Sequence, residues 1–519
     1  MNRIVKVALL LVILLILTPV ATLAQQETAC ESDVVVQADD WLSKIANKFY
    51  GDPLAYPAIV EATNAKAATD ASYAKIDNPD LIEVGWKLCV PAGATAQAAL
   101  QPSGAAPAGA MTLTVWDIWT RDEETKVIEA LHLDFEAAHP GVKINRVVKS
   151  YDDMKATAKL ALSSPDGPDI AQVNQGWSDM GAMVQGGLLV NLTPYAEKYG
   201  WLQKISPGIV ARNSFTADGK VFGQGNLYGV APVAELVGVY YRKDIFTELG
   251  LSVPKTLVEF EAAMEKIKAA GQVPLTFGNL DGWPAGQVYG EIWYTMLDKR
   301  GPLDDLIYSW GSGATWDSAE NVAAANKLQE WVDQGYFTAG FEGIGYEDSG
   351  ALFNNGQGAM MLTGSWMSST FQAGPNGDKI GFFLVPPAAE GGFKMSTGGT
   401  STAYAIRAGS PNVDLAAEYI DLMMSAKAAE AWVKSGTVPV APVDPALAGS
   451  GTIFADMVAA WSQMNQADAV GHYLDWATPT FYDTLTASLQ ELLAKKITPE
   501  EFTRKLEADH AAFLAEKKQ

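Results

Sequence analysis

The chain has 519 residues, 48% of them hydrophobic, so it is long enough for more than one domain, each with its own core. Its 37 basic and 60 acidic residues leave a net charge of -23, a field that repels nucleic acid and anionic membrane surfaces. The 15 tryptophans are an unusual aromatic load and direct attention to flat apolar ligands or sugar rings.

The first residues read as an export signal. Arg3 and Lys6 give a positive start, Val7 to Leu17 is an unbroken apolar run, and Thr22-Leu23-Ala24 is a small-residue cleavage site. That run is too short for a permanent membrane span. Residues 1–24 are therefore expected to be a signal peptide, and the product to be soluble, in the periplasm or at the cell surface. Cys30 raises lipid attachment as the competing reading, but Glu27-Thr28-Ala29 before it lacks the apolar residue such a site normally has. Cys30 and Cys89 are the two cysteines. Export makes a disulfide chemically reasonable, and the pair brackets one segment, which suggests a staple across it. With four scattered His and no Cys-x-x-Cys, neither a metal site nor a cofactor is expected.

Residues 30–93 read as a small unit. Val34 to Val36 is a strand. Leu42, Ile45, Ala46 and Phe49 follow at helical spacing, Tyr50-Gly51-Asp52-Pro53 stops that helix, and Ala58 to Asn64 gives a second. Asp77-Asn78-Pro79-Asp80 is a turn and Lys87 to Pro91 a closing strand. This βααβ order, with Asp40-Trp-Leu-Ser-Lys-Ile-Ala46, Asn64, Asp80-Leu-Ile82, Val84-Gly85 and Leu88-Cys-Val-Pro91, resembles a LysM domain. Trp41 stands where Thr is usual, and the segment from Ala65 to Ile76 is longer than normal. The resemblance implies binding of N-acetylglucosamine-containing glycans such as peptidoglycan. Residues 94–110 are almost wholly Ala, Gly, Pro and Gln, cannot build a core, and read as a flexible linker.

From residue 111 strands and helices alternate. Leu113 to Trp116 is a strand, Arg121 to His139 an amphipathic helix, Val142 to Val148 a strand, Asp152 to Leu162 a helix, and Asp169 to Val173 a strand. Met180 to Gly187 is read as a further helix. This order predicts an α/β fold with a mostly parallel sheet. In such sheets ligands bind outside the carboxyl ends of strands, which singles out Trp116 to Trp119 and Asn174, Gln175 and Trp177. Leu236 to Tyr241 is the next strand, Thr256-x-x-Glu259 a capping box, and Val273 to Phe277 a strand with Asp281 and Trp283 just past it. Helices are expected over Ser318–Gln334, Asp348–Asn354 and Asp414–Ser435. Ala359 to Leu362 is a buried strand, broken by Thr363-Gly364-Ser365 and followed by Trp366. A late helix opens near Asp475-Trp476 and Pro479 to Tyr482, and the last starts at Ile497.

Leu113-Thr-Val-Trp-Asp-Ile-Trp119, His139-Pro-Gly-Val-Lys-Ile144, Gly167-Pro-Asp-Ile170, Val239-Tyr-Tyr-Arg-Lys-Asp244, Pro254-Lys-Thr-Leu257, Phe353 to Trp366 and Gly398-Gly399 together resemble the family 1 extracellular solute-binding proteins, whose best-known member binds maltose. The resemblance implies a two-lobe fold of the periplasmic-binding-protein type (class II), non-enzymatic capture of a sugar between the lobes, and delivery to the permease subunits of an ABC importer, by a monomer. It implies lobe one near residues 111–233 and 396–436, and lobe two near 237–395 and 437–519.

A sugar site needs aromatic faces for the C–H patches of the ring and planar polar groups for its hydroxyls. Candidate stacking residues are Trp119, Trp177, Trp283, Trp366 and Tyr482. Candidate hydrogen-bonding residues are Asp117, Asn174, Gln175, Glu235 and Asp281, with backbone amides at Gly398 and Gly399. Glu235 matches a ligand-binding carboxylate of the maltose-binding relative and Trp366 a stacking tryptophan. Asp117 is also a candidate helix cap, and one of Trp116 and Trp119 is expected in the core. Two other functions stay open: a cell-wall glycan hydrolase, with Asp117 and Glu235 as the conceivable carboxylate pair, and a receptor for a non-sugar solute such as a polyamine or glycerol phosphate.

Overall fold

The computed structural model describes residues 30–37, 40–50, 55–76, 82–92, 111–311, 313–441, 447 and 449–517. The expected signal peptide, the linker over 94–110 and the turns at Gly51–Pro53 and Asp77–Asp80 lie outside them. The described residues fall into two units divided near residue 105.

In the first unit, strand β1 (Cys30–Val35) pairs antiparallel with β2 (Lys87–Pro91), and helices Leu42–Tyr50 and Tyr56–Ala67 lie between them in sequence. Leu42, Ile45 and Ala46 turn inward at helical spacing and pack with Ile59, Leu88 and Val90. Cys30 and Cys89 are joined by a disulfide. The segment after the second helix is held back by Asn64, whose amide donates to Ile76 O at 2.8 Å and accepts from Ile76 N at 2.7 Å.

The second unit contains β3 (Met111–Asp117), β4 (Val142–Val148), β5 (Ile170–Val173), a two-residue hairpin of β6 (Ser214–Phe215) and β7 (Asn226–Leu227), β8 (Ala234–Arg242), β9 (Met360–Gly364), β10 (Ile380–Phe383), β11 (Ser396–Thr400), β12 (Ala403–Ile406) and β13 (Val470–Gly471). One sheet has the order β12-β5-β3-β4, parallel except for β12. Leu113, Val115 and Ile170 of that sheet are buried against Ile128, Leu131 and Phe135 of helix Asp122–Ala138. The other sheet is built on β8, which pairs antiparallel with β9, β10 and β11, while β11 also pairs parallel with β13. Each sheet anchors one lobe.

Among the described residues the chain crosses between lobes three times, after Val233, at Ser401-Thr402 and near Val438, where the carbonyl of Val438 accepts from Ala234 N at 2.8 Å. Residues Ser396–Thr400 pair with β8 and β13, so they lie in lobe two, and the second crossing falls five residues later than the expected start of lobe one's second segment.

Three expected elements differ. Val273 to Phe277 forms only single bridges through Leu275, because Pro274 has no N–H to give a ladder. The Met180–Gly187 helix is a π turn over Trp177–Gly181 and a single turn over Ala182–Gln185. Asp414–Ser435 is two helices, the second capped by Ser425, whose hydroxyl accepts from Ala428 N.

Candidate functional site between the lobes

The carboxyl ends of β3, β4 and β5 open onto lobe two. Past β3 the chain turns into helix Asp122–Ala138, bringing Arg121 and Glu124 to its first turn. Past β4, Ser150 caps helix Tyr151–Ser163 by accepting from Asp153 N, which places Asp152 and Lys155 on the same edge. Past β5 come Asn174 and Asp179. Contacts across the gap tie this edge to lobe two. Arg121 Nη2 donates to Glu347 Oε1 at 2.7 Å and approaches Met367 Sδ at 3.5 Å. Asn174 Nδ2 donates to Asp475 Oδ2 at 3.2 Å, and Lys155 Nζ sits 4.2 Å from the centre of the Tyr482 ring.

Lobe two supplies a cluster of aromatics, with Trp283 and Trp366 half-buried and Tyr346 buried. Trp366 Nε1 donates to the Tyr346 hydroxyl, the Trp283 ring centre lies 4.4 Å from that of Tyr346, and Trp283 meets Trp366 edge-on at 6.4 Å. Gly364 is required beneath this cluster, because a Cβ there would come within 1.9 Å of the Trp366 ring. Asp281, exposed, accepts from Tyr346 N at 2.6 Å and fixes the start of helix Tyr346–Asn354. Glu235, the second residue of β8, accepts from the Tyr473 hydroxyl at 3.1 Å.

The electrostatics set these residues apart. Burial, opposed by Arg121, pushes Glu124 up to about 7. Burial, opposed by the Tyr473 hydrogen bond and aided by Glu124, pushes Glu235 up to about 7 as well. Asp152 is raised to about 6 by the surrounding protein and by Asp281 on the opposite lobe, although its side chain keeps an open face to water. Glu124 Oε2 and Arg121 Nε are buried with no hydrogen-bond partner. Orphaned buried polar atoms are costly and point to a missing partner.

Several predicted residues are placed elsewhere. Asp117 is fully buried and takes a two-pronged bond from Arg146, at 2.7 and 2.8 Å, while accepting from Trp119 N. It does not cap the following helix, whose N-cap position is Arg121. Trp119 is 3% exposed, 4.9 Å from the Trp432 ring, with its Nε1 on the Tyr404 hydroxyl. Trp116 is buried too, so both tryptophans of β3 and its exit are core residues. Trp177 packs among Phe215, Phe222 and Phe513 and donates to Ile307 O. These rings have no free face, because partners distant in sequence cover them. Gln175 is buried at the second crossing, donating to Ser401 O. Gly398 and Gly399 lie within β11, paired with Leu236 and Glu235, so they form hinge backbone rather than a loop of free amides. Gly399 adopts φ +149°, and a Cβ there would meet the Arg212 guanidinium at 2.6 Å. The structure brings Asn174, Glu235, Asp281, Trp283, Trp366 and Tyr482 to the cleft. Sequence reasoning missed Arg121, Glu124, Asp152, Lys155, Tyr346 and Tyr473.

Residues 120–430 match the family described as bacterial extracellular solute-binding protein, and residues 34–91 match the LysM domain. The multiple sugar-binding protein of Streptococcus mutans is 24% identical over 323 residues, covering 62% of this chain and 73% of that protein. An uncharacterized ABC transporter extracellular-binding protein of Pyrococcus horikoshii is 28% identical over 262 residues, 50% of this chain and 57% of that protein. A solved chitin oligosaccharide binding protein superposes with a TM-score of 0.67 at 23% identity, over 78% of this chain and 99% of that one, a likeness of fold. The family match spans more than half of the chain and agrees with the two lobes and the cleft between them: the chain belongs to the bacterial extracellular solute-binding proteins and carries a LysM domain at residues 34–91.

Proposed function

We propose that the interlobe cleft binds a sugar, as a mono- or oligosaccharide, and that the protein delivers it to the permease of an ABC importer. The observation that carries this is the pairing of two surfaces. Trp366 and Trp283, packed on the buried Tyr346, offer apolar rings from lobe two, and Glu124 and Arg121 hold unpartnered polar atoms opposite them. Sugar rings present apolar C–H faces and hydroxyl edges, which suits this combination. The relatives named for sugars agree with it. The three interlobe crossings among the described residues supply a hinge, and a ligand touching both lobes favours their closure by differential affinity.

The hydrolase alternative loses its proposed acid pair, since Asp117 is consumed by Arg146. A thermal-shift screen of mono- and oligosaccharides, polyamines and glycerol phosphate tests the reading, because a ligand bound only by the folded state raises the melting temperature. A rise with saccharides supports it. A rise only with a polyamine or glycerol phosphate, or turnover of a glycan, contradicts it.

The LysM unit is proposed to hold the exported receptor to cell-wall glycan. Trp41, 52% exposed although Lys44 Nζ lies 4.9 Å from its ring centre, and Val84, 69% exposed, are apolar groups that a glycan chain could meet. Deleting residues 30–93 should release the receptor from the cell surface, and unchanged retention would count against the tether.

A further inference from the structure

Beyond its shape, the cleft has a one-sided charge. Glu124, Asp152, Glu235, Asp281 and Asp475 reach it from both lobes. Among the described residues, Arg121 and Lys155 stand by them, each with its short bond elsewhere, Arg121 with Glu347 at 2.7 Å and Lys155 with Asp179 at 2.9 Å, and the buried Arg212, near Tyr473 and Trp476, spends two nitrogens on the carbonyls of Gly398 and Val470. Glu124 Oε2 is 4.0 Å from Arg121 Nη1 and is buried without a hydrogen-bond partner. An ionised carboxylate only accepts hydrogen bonds, so this wall asks its ligand for donors. Hydroxyl, amide N–H and ammonium groups supply them. A ligand carboxylate, sulfate or phosphate brings acceptors and a like charge into a site already short of cations.

Resting on the sugar reading, we infer that the cleft selects by charge: it takes neutral or amine-bearing saccharides and rejects those carrying carboxylate, sulfate or phosphate groups. The raised protonation midpoints of Glu124 and Glu235, near 7, accord with this, since burial and mutual repulsion already strain their ionised forms. A further anion beside them would have to force their protonation or be desolvated unpaired.

The test uses the intact chain at pH 7.5 and calorimetric titration with maltose, cellobiose and diacetylchitobiose, each beside its C6-carboxylate form. For whichever disaccharide binds, the acidic form should bind at least tenfold more weakly, and the gap should shrink at high salt. An acidic form bound within tenfold of its neutral partner overturns the inference while the sugar reading stands. If none of the six binds and the wider screen also finds no saccharide, the sugar reading fails and the inference falls with it. The variant Asp152→Asn, at an exposed position that leaves the core untouched, separates charge from shape. It should narrow the gap, and an unchanged gap would assign the exclusion to sterics and overturn the charge account.

Discussion

Arg121 of lobe one donates through Nη2 to Glu347 Oε1 of lobe two at 2.7 Å, while its Nε is buried without a partner. One guanidinium thus links the lobes and keeps a donor in reserve. The link itself is weak, because the Glu347 side chain is 66% exposed and such pairs contribute about 0–1 kcal/mol. Glu347→Gln should therefore change sugar affinity less than about fivefold. Arg121→Gln should weaken binding at least tenfold, because it also strips Glu124 and Glu235 of their nearby cation. Calorimetric titration of the two variants checks this, and equal effects would return Arg121 to a purely surface role.

The pH dependence follows from Glu124 and Glu235. Both have folded midpoints raised from 4.5 to about 7, so between these values the folded chain holds more protons than the unfolded one. Their contribution to stability therefore falls as pH rises through that window, and the loss is complete above about 7. The ligand-free protein should melt higher at pH 5 than at pH 8 on their account. The difference between the melting curves of wild type and Glu124→Gln/Glu235→Gln isolates the effect: the variant should gain on wild type as pH rises from 5 to 8. A constant difference would contradict the burial argument.

Asp117 and Arg146 form a structural pair beneath the cleft, with Asp117 wholly inside. Asp117→Asn leaves Arg146 without its counter-charge and should cost about 3 kcal/mol of stability. Sugar affinity of the folded variant at low temperature should stay within about threefold of wild type. Loss of affinity without loss of stability would instead make Asp117 a ligand contact.

Much of this architecture was legible in the sequence. The β3–β4–β5 sheet announced itself because apolar runs alternate with amphipathic helices at crossover lengths. Trp366 was legible because a Gly-Ser break follows a buried strand, and the ring does rest against Gly364. Trp119 and Trp177 also follow strands, yet their rings are claimed by Trp432 and by Phe513, partners that strand-end position cannot reveal. Arg121 and Glu124 stand at the start of a helix that the sequence shows only to be amphipathic. Their burial comes from lobe two, through Glu347 and Met367, more than two hundred residues away. The capping box at Thr256 held its first half, with Thr256 accepting from Glu259 N, while Glu259 reached back to Lys255 N instead of Thr256 N.

The disulfide closes a loop of 59 residues in the small unit. Chain-entropy arguments give about 4 kcal/mol for a loop of this size. Cys30→Ser/Cys89→Ser should lower or abolish the melting transition of the LysM unit and leave that of the solute-binding unit within about 2 °C, since the two units have separate cores. Calorimetry resolves the two transitions. A matching drop in both would show that the units fold as one.

The most direct measurement is calorimetric titration of wild type and Trp366→Ala, side by side, with the saccharide selected by the thermal screen. The account predicts single-site binding in the wild type and at least a hundredfold loss in the variant, with circular dichroism unchanged, because the half-buried ring is the proposed platform from lobe two. Equal affinity in the two proteins, or no saccharide binding in the wild type, would contradict it.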